Sequence, residues 1–202
     1  MTRERPNKQG TLREQIAHLA ARIMAEDGID DFGYAKRKAA RQAGAHDARA
    51  MPDNEEIERA LRAYRELYHQ GRHEPLIAEL RRQALGLMRR LSRFNPYLVG
   101  PVLSGVAGKH SAIDLHLFSD SAKEFELFLL NQGIRYKSTQ VRLFLNDAEQ
   151  LVPAYSFEYG ATEIRVIALD ARDLRHPLKT SLTGRPVERA SIGMVELLSP
   201  PS

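Results

Sequence analysis

The stretch Leu103-Ser-Gly-Val-Ala-Gly-Lys-His-Ser-Ala-Ile-Asp-Leu-His-Leu-Phe118 places a turn of small residues between two apolar runs, the second carrying Asp114-x-His116. Gly105 and Gly108 have no Cβ, so backbone N–H groups around Ser104-Gly105 can approach a phosphate closely. Asp114 is then the candidate metal ligand, because Mg²⁺ takes oxygen donors and commonly only one or two of them from protein carboxylates. A carboxylate inside an apolar strand also needs a partner to offset its desolvation. Residues two apart on a strand share a face, so His116 is expected on the same side as Asp114. There it would serve as ligand or base, face solvent, or hydrogen-bond to Asp114. Lys109, with His110, stands in the turn, where a charged side chain either meets phosphate or is simply solvated.

Upstream of this stretch the spacing is helical. Leu12, Ile16, Leu19 and Ile23 predict one helix with Gly28 as its stop, and a second is expected from Asp31 to Ala43, closed by Gly44. Pro52-Asp-Asn-Glu-Glu reads as the capped start of a third, with Ile57, Leu61 and Tyr64 on its apolar stripe and Gly71 at its end. Pro75 opens a fourth, marked by Leu76, Leu80, Ala84, Leu87 and Leu91 and closed by Asn95-Pro96. From Tyr97 the period becomes strand-like. Val99 to Val106 and Ile113 to Phe118 read as two strands, followed by a helix from Ser119 to about Asn131 with Gly133 as its stop. Short strands are expected over Ile134 to Tyr136, Val141 to Leu145, Leu151 to Phe157 and Glu163 to Leu169, separated by Ser-Thr-Gln, Asn-Asp and Tyr-Gly-Ala turns. The expected organisation is a helical N-terminal region over 1–74, an α+β domain over 75–170 and a C-terminal extension over 171–202, packed on that domain or trailing from it.

The 202 residues suffice for a substantial core. There are no cysteines, which excludes disulfide scaffolds, thiolate metal sites and cysteine nucleophiles. The first ten residues are basic without an apolar run behind them, and no segment reaches the roughly 20 apolar residues of a membrane span. A cytoplasmic, membrane-free protein is the expectation. The net charge is +4, with the excess of Lys and Arg concentrated before Phe94, so attraction to polyanions is expected in the first half.

The order helix, strand, Ser-Gly turn, strand with Asp, helix, strands resembles the polymerase-β-type nucleotidyltransferase superfamily over about Leu76 to Leu169. The resemblance implies a mixed sheet with flanking helices. It also implies a nucleoside triphosphate held at the turn through Ser104, Gly105 and Lys109, and a divalent cation, Mg²⁺ or Mn²⁺, bound by carboxylates that align the attacking group. Asp114 matches the family's first carboxylate, and His116 stands where a second is expected. That departure alters the chemistry, since a neutral imidazole suits softer metals and adds no negative charge. Glu163, at the start of an apolar strand, is the candidate third ligand, with Glu158 as its competitor. In this reading Asp114 and His116 are the catalytic pair for transfer of a nucleoside monophosphate to an acceptor. The alternative is a noncatalytic nucleotide- or RNA-binding protein of the same fold, and a third reading places the function in the helical half.

RNA is the second expected partner, through Lys36, Arg37, Lys38 and Arg41. Ala35, Ala39 and Ala43 give the same helix a narrow face for close packing, so these basic residues serve equally well as its solvated side. Arg81-Arg82 and Arg89-Arg90 form a second basic stripe.

Overall fold

The computed structural model describes residues 8–29, 31–45, 51–68, 71, 73–180 and 184–199. The basic residues at the extreme N-terminus, Thr183 and the closing Pro-Pro-Ser lie outside them. The chain forms two compact units, one from residues 1–76 with 106–110 and the other from 77–105 with 111–202. Among the described residues no helix is long and apolar enough to cross a membrane.

The first unit is helical: α1 is Lys8–Asp27, α2 Phe32–Gln42 and α3 Asn54–Tyr68. Its core joins Ile16, Ala20, Ala35, Ala39, Ile57 and Leu61. Small residues at 35 and 39 leave no room for a larger side chain, which is what a narrow alanine face is for. The start of α3 is held by a reciprocal cap, in which the Glu56 N–H donates to Asp53 Oδ1 at 2.8 Å and the Asp53 N–H to Glu56 Oε2 at 2.7 Å. Arg13 of α1 pairs with Glu56 at 2.7 Å, tying α1 to that cap. Val106 belongs to this core, and the buried Arg65 donates to its carbonyl.

The second unit is α+β. After most of α4, His73–Arg90, come β1 (Pro96–Val99), α5 (Gly100–Ser104), β2 (Ile113–Ser119) and α6 (Ala122–Asn131). Then follow β3 (Tyr136–Leu145), β4 (Ala148–Tyr159), β5 (Thr162–Asp170), β6 (Leu178–Lys179) and α7 (Ile192–Leu198). The six strands form one mixed sheet in the order β1-β2-β5-β4-β3-β6, with β2 and β5 parallel and the other neighbours antiparallel. One face, with Leu98, Ile113, Leu115, Ile164 and Val166, is buried, and Phe125 of α6 packs on the same core edge-on against Phe94 at 5.4 Å.

Two sequence expectations change. The run Val99 to Val106 is not one strand, because Gly100 takes φ +70° and Pro101, with no N–H to give a ladder, starts α5 instead. The run Ser138-Thr139-Gln140 is not a turn. It continues β3 along its pairing with β4, where Lys137 faces Ser156 and Thr139 faces Ala154, and a thinly covered strand tolerates polar side chains. Among the described residues after Asp170, Leu98 and Ala190 exchange backbone hydrogen bonds of 2.9 Å, Val187 bonds to Leu178, and Val195 is buried. The Asn146-Asp147 turn is as expected, a two-residue hairpin with φ of 50° and 62°.

Candidate functional site

The strand register lines up one row of side chains across the second sheet face: Val99, Asp114, Arg165, Ser156 and Lys137. The next row, toward the far end of β2, is Tyr97, His116, Ile167, Ala154 and Thr139. Beyond it lies an apolar cluster that includes Phe118, Leu143, Leu169 and Leu178. These rows border a cavity of about 470 Å³, floored by Val99, Val141, Leu143, Ala154 and Ile167 and polar along Asp114, Arg165, Lys137 and Glu163. That volume falls within the range of small-molecule sites.

Gly100, also on the cavity wall, makes the closest approach. A Cβ there would lie 2.7 Å from Asp114 Oδ2, so only glycine leaves room for the carboxylate, and the positive φ selects glycine independently.

Arg165 stands between two carboxylates, its Nε 3.7 Å from Asp114 Oδ1 and 3.9 Å from Glu163 Oε2. Asp114 is the more enclosed, with a side chain 25% exposed against 54% for Glu163. His116 is only 4% exposed, and its Nδ1 has no hydrogen-bond partner. Burial, with the positive charge of Arg189 added to it, lowers the His116 pKa to about 4, so the imidazole is neutral at neutral pH.

Asp114, His116 and Glu163 therefore all line the cavity, yet they do not converge on one point. Both carboxylates face a guanidinium, and among the described residues no three His, Asp or Glu side chains gather as metal ligands would. This donor set does not fit a hard cation such as Mg²⁺ or Mn²⁺, which needs several uncommitted oxygens. Glu158 lies opposite Glu163 in the β4–β5 ladder and does not line the cavity. Nor do Ser104 and Gly105, which close α5: the Arg81 guanidinium donates to the carbonyls of Val102 at 3.1 Å and Leu103 at 2.7 Å. That end of the helix presents carbonyl oxygens, the wrong polarity for a phosphate. Lys109 lies in the helical unit.

On α2, Arg37 and Arg41 are exposed, Lys36 is half-buried, and Lys38 pairs with Asp27 at 2.7 Å. The sequence reading missed Arg165, Lys137, Gly100 and the buried role of His116. A trace of the first was present, since Glu163 and Arg165 alternate with the buried Ile164 and Val166 and must share the open face. No protein-family model, curated protein or solved structure matches this chain.

Proposed function

We propose that the sheet unit is a noncatalytic, nucleotidyltransferase-like module that binds a nucleotide in this cavity without a metal centre. The observation that carries the reading is the cavity itself, with an apolar floor of Val141, Leu143 and Ile167 beside a cationic pair, Lys137 and Arg165. A nucleobase has two apolar faces and suits the floor, while the phosphates suit the lysine and the guanidinium. The order of elements around Asp114 supports the family likeness. Nucleotidyl transfer asks more of the site, because metal-bound catalysis needs carboxylates free to hold cations and Arg165 competes for both Asp114 and Glu163.

Thermal unfolding with each of the four nucleoside triphosphates, in EDTA, tests this. Ligand at about 100 times its Kd adds about 2.7 kcal/mol, equivalent to a rise of about 5 °C or more for a chain of this size. At least one nucleotide is expected to give that rise. No rise with any of them, or a rise only after Mg²⁺ is added, contradicts the proposal.

A further inference from the structure

One row of the sheet face sets three hydrogen-bond donors side by side: Lys137 of β3 is opposite Ser156 of β4, Ser156 is opposite Arg165 of β5, and all three line the cavity. Neighbouring strands lie about 4.8 Å apart, so the serine hydroxyl has a long cationic side chain on either side of it. A hydroxyl, an ammonium and a guanidinium together are the donor set a single phosphate group takes. Lys137 belongs to no ion pair among the described residues, while Arg165 stands between Asp114 and Glu163. In one direction along the strands the row borders Ala154 and Ile167 and then the apolar floor assigned to the base.

In the other direction, toward the β4–β5 turn, the next row is acidic. Glu158 faces Glu163 directly across the ladder, and each is two residues from the phosphate row, on the same sheet face as Ser156 and Arg165. Glu163 lines the cavity, Glu158 lies just outside it, and both are exposed. Like charges directly opposite in an antiparallel pair are destabilising. This pair stands where a polyphosphate, its base on the apolar floor, would run out past Ser156. Asp114, beyond Arg165 in the phosphate row itself, bounds that side with a third carboxylate.

We infer that this cavity prefers a nucleotide with a single phosphate, seated over Ser156 between Lys137 and Arg165, and that Glu158 and Glu163 disfavour longer phosphate chains. The inference rests on the nucleotide-binding reading above and adds the class of nucleotide. A phosphate monoester carries about −1.5 to −2 at neutral pH, which the two cations of the row meet. Each further phosphoryl group adds negative charge beside the glutamate pair, and like charges brought together lower affinity. Triphosphates therefore bind, but more weakly than monophosphates.

The test is isothermal titration of the four nucleoside monophosphates and the matching triphosphates, in EDTA, into the wild type and into Glu158→Gln/Glu163→Gln. In the wild type the best monophosphate should bind about tenfold more tightly than the triphosphate of the same base. The double variant should tighten the triphosphate by about that factor and leave the monophosphate within about threefold. Ser156→Ala should weaken the monophosphate about fivefold, the worth of one hydrogen bond. Both glutamates are exposed, so their replacement spares the core, and the wild-type comparison stands without any variant. A triphosphate that binds the wild type as tightly as its monophosphate, a ratio unchanged in the double variant, or a monophosphate affinity untouched by Ser156→Ala overturns this inference and leaves the cavity reading in place. No nucleotide binding by the wild type overturns the cavity reading and this inference with it.

Discussion

Gly100 and Asp114 are mutually fitted: the place a Cβ would take at residue 100 is 2.7 Å from Asp114 Oδ2, at a backbone position with φ +70°. The glycine that breaks β1 and starts α5 thus also clears the space in which the cavity's most enclosed carboxylate stands.

Gly100→Ala should cost about 2 kcal/mol or more, combining the left-handed backbone penalty with displacement of Asp114. Asp114→Ala in the same background should relieve the clash and not the backbone strain, so the double variant recovers part of the loss. Chemical denaturation of the two single variants and the double variant measures this coupling. Strictly additive effects would show that the two residues do not interact.

Stability should depend on pH through His116. Its folded pKa, lowered to about 4 by burial and by Arg189, lies below the ordinary value of 6.5. Between those values the unfolded chain binds more protons, so folding is favoured above about pH 6.5 and loses stability as pH falls toward 4. The loss reaches about 3 kcal/mol at most. Urea unfolding of the wild type and of His116→Phe at pH 7.5 and 4.5 should show a larger acid loss in the wild type. Equal losses would place the sensitivity elsewhere.

The sequence made the alternating face of β2 legible, because Asp114 and His116 sit two apart in a run of apolar residues. The helical half was equally plain: its caps and stripes are local, and Asp53 with Glu56 forms the cap that Pro52-Asp-Asn-Glu-Glu suggested. Composition does not tell apart Gly100-Pro101 and Ser104-Gly105, both small-residue breaks within one apolar run. Only the backbone conformation shows that the first opens a helix and the second ends it under Arg81. Arg165 and Lys137 were hidden for a different reason. Their place beside Asp114 follows from the parallel pairing of β2 with β5 and from the β5–β4–β3 register, long-range choices that no local spacing encodes.

Polyanion binding by the helical unit is a separate proposal, carried by Arg37 and Arg41 on the exposed side of α2. Because Lys38 is engaged by Asp27 and Lys36 is half-buried, Arg37→Gln with Arg41→Gln should account for most of the loss seen when all four are replaced. Each lost contact with single-stranded RNA should reduce the slope of log affinity against log salt by about 0.7. A wild-type protein that holds no RNA at low salt, or a double variant with an unchanged slope, contradicts it.

The most direct test of the central claim is isothermal titration of the best-binding nucleoside triphosphate into the wild type and into Lys137→Gln/Arg165→Gln, each in EDTA and in Mg²⁺. Loss of two charge-assisted phosphate contacts should weaken binding at least tenfold. The account predicts one affinity for the wild type in both buffers and that tenfold loss in the double variant. Binding that requires Mg²⁺, or an affinity untouched by removing both cations, would contradict it.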